Sequence, residues 1–146
     1  MSQTYRAHNQ SRLFILLASL LGGLGVVLGA FGAHGLKNIV EPRLLEVFNI
    51  AVQYQLIHAL ALLALAFWMG QATIQGLAQR GTLNRAAWSW FIGIVLFCGS
   101  LYAYILTYTL FGIRFFAFIT PLGGVFFILG WLLLFLAAWK LPKNQE

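Results

Sequence analysis

A chain of 146 residues that is 61% hydrophobic and only 8% charged carries more apolar area than a globule of its size can hide, which excludes a water-soluble domain. Its net charge of +6, from nine Lys and Arg against three Glu, is scattered between apolar segments. That excludes a nucleic-acid interface and reads as topogenic charge beside anionic membrane lipid.

A bilayer core about 30 Å thick needs about 20 apolar helical residues, and four segments meet that length. The first runs from Arg12 to His34, with Ser11 as N-cap and Gly35 as a left-handed stop. Leu13 to Ala33 is too long for the apolar part of a cleaved signal peptide, so the segment reads as a retained span. Within it Ala18, Gly22, Gly25, Gly29 and Gly32 fall on one stripe of the helix. Apolar side chains gain little by leaving lipid for each other. A stripe of small residues therefore predicts close backbone approach to another helix, in the same chain or a neighbouring copy.

The second span follows a polar connector, Lys37 to Glu41, with Pro42 in the first helical turn and the membrane part from Asn49 to Gly70. Gln55 and His58 share a face. Polar groups in hydrocarbon need partners, so that face is predicted to turn inward. Gln71 to Arg85 reads as a loop, and Trp88 to Leu110 as the third span. Depth along the helices predicts a midplane cluster of Gln55 and His58 with Ser100 or Tyr102. Such a cluster is either a neutral hydrogen-bonded knot between helices or a proton or ligand site. The lone Cys98 reads as a small hydrophobe.

Thr120-Pro121 reads as an N-cap and first helical residue, opening a fourth span from Pro121 to Trp139. Ile113 to Ile119, interrupted by Arg114, reads as interfacial. Free amides at Thr120 beside Arg114 fit either ordinary capping or an anion such as a lipid phosphate. His34 reads as a cap on the carboxyl end of the first helix at the same outer surface. It lies roughly 13 Å of helical rise from His58, too far to share a metal ion. The prediction is no metal and no cofactor.

Charge sets the topology. Arg6, Arg12, Arg80, Arg85, Lys140 and Lys143 lie on one side, and Lys37, Arg43 and Arg114 on the other. The positive-inside rule then puts both termini in the cytoplasm. Trp68, Trp88, Trp90 and Trp139 fall at the cytoplasmic ends of their spans, where interfacial indoles belong, and only Trp131 lies deeper. No paired intramembrane carboxylate, GxSxG, HExxH, P-loop or CxxC is present, so the chain does not read as an enzyme.

Four ordered motifs carry a resemblance. They are Gly29-Ala30-Phe31-Gly32-Ala33-His34-Gly35-Leu36, the run Val52 to Leu63, the run Leu96 to Tyr102, and Thr120-Pro121-Leu122-Gly123-Gly124 continued by Gly130-Trp131. In these the chain resembles the YgdD-like family of small bacterial membrane proteins of unknown function. The resemblance implies a four-helix inner-membrane protein and brings no reaction or substrate with it.

The expectation is an all-α bundle of four transmembrane helices forming one domain over residues 1–146. Its expected role is non-enzymatic, structural or interactive, through the glycine-rich first helix, as a homo-oligomer or within a larger membrane complex. The alternative is binding or transport of a small molecule, proton or lipid at the His58 cluster.

Overall fold

Four helical stretches are long and apolar enough to cross a bilayer. The computed structural model describes residues 3–71 and 77–141, with side chains over 8–71 and 79–141. Its α-helices are α1 (Gln3–His34), α2 (Pro42–Gly70), α3 (Leu77–Gly93), α4 (Gly99–Phe111) and α5 (Thr120–Trp139). A π turn at Ile94–Cys98 joins α3 to α4, so five segments make four spans. Short 3-10 turns at Leu36–Asn38 and Phe115–Phe118 lead into α2 and α5. The chain is an all-α bundle of four long apolar helices.

Several local expectations are corrected. Ser11 caps nothing, because α1 begins eight residues earlier, and it is buried inside the bundle. Gly35 is not left-handed, with φ −88°, and the chain leaves α1 through the 3-10 turn instead. Residues from Leu77 onward are helix rather than loop. Leu83, Ala86 and Ala87 explain this, since they put a fully buried face on α3. Thr120 is the first residue of α5 rather than its cap. Pro42 and Pro121 do sit in first turns, where a missing N–H costs nothing. The left-handed stop is at Gly112, φ 69°. There the N–H groups of Gly112 and Ile113 donate to the Tyr108 and Thr107 carbonyls, and the Gly112–Tyr108 bond closes α4 as an αL motif. Of the topogenic residues, Lys143 and the side chain of Arg6 lie outside the described residues.

The bundle is two antiparallel pairs. In the first, α1 lies along α2. A Cβ on Gly25 would sit 2.7 Å from Leu56, one on Gly29 3.4 Å from Val52, and one on Gly32 2.9 Å from Phe48. As α1 advances by about two turns, α2 retreats by the same amount, so the small residues form a groove for three consecutive ridges of α2. Ala18 is buried in the same seam. Gly22 is the exception, because a Cβ there would meet nothing within 4 Å.

The second pair, α3 with α5, uses the same device. A Cβ on Gly130 would strike the Trp90 indole, one on Gly93 the Phe127 ring, and one on Gly123 the Phe97 backbone, with Cα 2.7 Å away. Trp90 therefore is not an interfacial anchor. It is 1% exposed, wedged into the space that Gly130 leaves. Phe97 lies in the π turn.

The two glycines Gly123 and Gly22 make opposite predictions. Gly123→Ala is expected to lower stability in detergent by about 1–3 kcal/mol, because the colliding atoms are backbone. Gly22→Ala is expected to be neutral or stabilising by up to about 1 kcal/mol, since open space leaves only helix propensity. Thermal unfolding of the two variants beside the wild type checks both.

Candidate functional site

The polar side chains predicted to meet in the membrane interior come from two helices, α2 and α4, where hydrocarbon offers them no partner. Gln55 and His58 lie on the inward face of α2, both buried. Ser100 is buried at the start of α4, and Tyr102 is half-buried beyond it. The structure does not gather them into one cluster. It arranges them as three separate hydrogen-bonded groups.

In the first group Gln55 Nε2 donates to the Leu21 carbonyl at 2.8 Å, and the Tyr102 hydroxyl donates to Gln55 Oε1 at 3.0 Å. Leu21 belongs to α1, so one amide ties α1, α2 and α4 together. The Leu21 carbonyl is reachable because the residue one turn on is Gly25, which has no side chain to cover it. Ser11 uses the same opening at the other end of the pair. Its hydroxyl donates to the Ala66 carbonyl at 2.7 Å, and one turn on is Gly70, where a Cβ would lie 2.9 Å from Ser11 Oγ.

In the second group His58 Nδ1 lies 2.9 Å from the Tyr54 carbonyl, and Trp131 Nε1 donates to His58 Nε2 at 3.3 Å. A carbonyl can only accept and an indole N–H can only donate. The two contacts therefore fix the neutral tautomer with the proton on Nδ1, and both ring nitrogens are used. The imidazole is stacked on Phe127, with centroids 3.6 Å apart. Trp90 meets Trp131 edge to face at 4.7 Å, and Tyr54 stacks on Phe97 at 4.8 Å. This aromatic layer joins α2 to the α3–α5 pair.

In the third group Ser100 Oγ donates to the Phe97 carbonyl at 2.9 Å. Its single proton is then committed, so Thr120, 2.9 Å away, donates to Ser100. Thr120 thus faces inward to α4 rather than standing with Arg114 at the surface.

Of the residues expected at the outer surface, His34 is exposed in the last turn of α1. Arg114 is exposed and donates to the Tyr108 hydroxyl at 3.3 Å, with its guanidinium over the same ring. That hydrogen bond raises the arginine's already high pKa. Cys98 is buried in the core. Among the described residues no three of His, Cys, Asp and Glu converge as metal ligands do.

Reasoning from sequence missed Phe127 and Trp131 as the partners of His58. The signal was present, since Gly123, Phe127, Gly130 and Trp131 recur at helical spacing on one side of α5. Ser11 was missed because a serine before an apolar run looks like a cap.

A model of the family described as protein of unknown function (DUF423) matches residues 28–124. The chain belongs to this family. It is similar to a UPF0382 membrane protein of Staphylococcus saprophyticus, 42% identical over 89% of this chain and 99% of that one. It is also 43% identical to the UPF0382 membrane protein YwdK of Bacillus subtilis, over 88% of this chain and 98% of that one. A Staphylococcus aureus relative is 41% identical over 88% and 97%. No solved structure matches. The match spans the four motifs as far as Gly124, and with them the Tyr102–Gln55 and Thr120–Ser100 hydrogen bonds, while Leu21, whose carbonyl Gln55 reaches, lies before it. The chain is a small multi-pass membrane protein of a bacterial family.

Removing the Tyr102 hydroxyl leaves Gln55 Oε1 without its donor. Tyr102→Phe is expected to cost about 0.6–1.7 kcal/mol, the range of interhelical hydrogen bonds in membranes. A double-mutant cycle with Gln55→Leu in detergent unfolding should show the two effects coupled rather than additive.

Proposed function

We propose that this protein is a non-enzymatic structural or interaction component of the bacterial inner membrane, with both termini in the cytoplasm. One observation carries the reading. Gln55, His58, Ser100 and Tyr102 all find partners inside the chain. The buried Trp90 N–H has no partner among the described residues, but an indole does not titrate, and both nitrogens of His58 are engaged. Its ring is 5% exposed and covered by Phe127 and Trp131.

What remains for interaction is the outer surface. α1 packs mainly on α2, and Leu13, Leu16, Leu20, Leu24 and Val27 are exposed on its other faces. Gly22 and Gly23 offer open backbone on the same helix. This supports docking of α1 against a second copy or against a larger membrane complex. The inner-membrane location and orientation rest on the resemblance to the YgdD-like proteins and on the excess of Arg and Lys at the terminal side.

Two measurements test the proposal. Native mass spectrometry of wild type and His58→Ala, released gently from their own membrane, is expected to give no small molecule held by one and lost by the other. In proteoliposomes the wild type is expected to pass no protons above the lipid background. A proton flux abolished by His58→Ala replaces this reading with transport. For orientation, in a Cys98→Ala background, Arg114→Cys is expected to react with an impermeant maleimide in intact spheroplasts. Lys140→Cys should react only after lysis, and the reverse pattern inverts the topology.

A further inference from the structure

α1 and α4 both pack on α2 and leave a cleft between them. Its inner part is a slot of about 250 Å³ walled by Phe31 of α1, Phe48 of α2, and Tyr102, Ile105, Leu106 and Thr109 on α4. Along α4 the wall extends from Tyr102 to Leu110, roughly 12 Å of helical rise. At the surface the slot shares Ile39, Val40 and Thr109 with a wider mouth of about 500 Å³. The chemistry changes there, because the mouth is lined by Glu41, Tyr108 and Arg114.

The two charges at the mouth are not spent on each other. Arg114 bonds the Tyr108 hydroxyl and lies over its ring, and among the described residues it forms no ion pair with Glu41. Both side chains are exposed. A free cation and a free anion therefore flank one opening, above an apolar slot that runs inward along a membrane-spanning helix. A slot of this volume is too narrow for a helix about 10 Å across, but it suits one hydrocarbon chain. Exposed Phe115 and Phe118 lie beside Arg114 in sequence and anchor this edge at the interface.

We propose that this cleft binds one phospholipid whose head carries both a phosphate and a primary ammonium. The phosphate sits on Arg114 and the Tyr108 hydroxyl, the ammonium on Glu41, and one acyl chain enters the slot past Thr109. Arginine suits the phosphate because its planar guanidinium gives paired N–H donors. Glutamate separates this head from a purely anionic one, which it would repel. It also separates it from a quaternary ammonium head, which has no N–H to donate. The site is independent of the structural role proposed above, since none of its residues belongs to the hydrogen-bonded interior except Tyr102, whose ring alone faces the slot.

The test is lipid retention by the full chain. Protein in detergent is equilibrated with equal amounts of phosphatidylethanolamine, phosphatidylglycerol and phosphatidylcholine, and bound lipid is read by native mass spectrometry. One phosphatidylethanolamine is expected per chain, in at least about tenfold excess over the other two. Arg114→Gln is expected to lower retention of all three about tenfold. Glu41→Gln should keep a lipid but erase the preference between heads. Thr109→Trp, at an exposed position in the slot wall, should expel the lipid while leaving the melting temperature of the lipid-free protein unchanged. Preference for phosphatidylglycerol, retention indifferent to the head group and to Arg114→Gln, or a dimer that occupies the cleft in place of lipid overturns the proposal.

Discussion

The architecture depends on helices approaching each other closely where glycine leaves the backbone bare. In water, burying leucines would hold such a bundle together. In lipid the tails are as apolar as leucine, and association must come from packing and from hydrogen bonds. Glycine supplies both at once here. Gly25, Gly29 and Gly32 admit three ridges of α2, and Gly93, Gly123 and Gly130 admit Phe127, Phe97 and Trp90 across the other pair. The same absence of a side chain uncovers a helix carbonyl one turn earlier. Gln55 reaches Leu21 beneath Gly25, and Ser11 reaches Ala66 beneath Gly70. A substitution at Gly25 or Gly70 would therefore disturb packing and hydrogen bonding together.

The π turn belongs to the same logic. At Ile94–Cys98 the helix widens, and the N–H of Gly99 reaches back to the Ile94 carbonyl. Phe97 in this turn meets the bare backbone of Gly123. Its carbonyl accepts the Ser100 hydroxyl, which in turn accepts Thr120. An irregularity that would be costly facing lipid is satisfied by neighbouring side chains and covered by α5.

Much of this was legible in the sequence, and the limits have physical reasons. Hydropathy and length identify four spans because a bilayer imposes one dimension on every segment. The stripe on α1 was readable because its period is that of a helix. That Gln55 and His58 turn inward followed from solvation alone. Their partners did not follow. Depth along a helix fixes one coordinate, whereas pairing also needs the rotation of each helix and the order of helices around the bundle. Depth alone put Ser100 or Tyr102 beside His58, but rotation gives it Trp131. Helix starts failed where one residue type serves two purposes. Ser11 and Thr120 have the chemistry of caps and are used between helices. Leu77 onward looked like a loop because Arg80, Gly81 and Arg85 dominate its composition, while Leu83, Ala86 and Ala87 decide its packing.

Interior and edge solve opposite problems. In the interior Gln55, His58, Ser100 and Tyr102 are answered inside the chain, while the buried Trp90 N–H and Asn84 Oδ1 find no hydrogen-bond partner among the described residues. At the outer edge Arg114 and Glu41 line one opening without answering each other. That asymmetry matters because the energetic cost of an unpaired group depends on where it lies. His58 without Trp131 would leave a bare nitrogen in hydrocarbon, whereas a charge at the interface is solvated by water and head groups and can wait for a partner. A small membrane protein that spends its buried polar groups on its own assembly keeps its recognition chemistry at the rim. There the bilayer itself supplies molecules with a charged end and an apolar end, in the orientation the cleft presents.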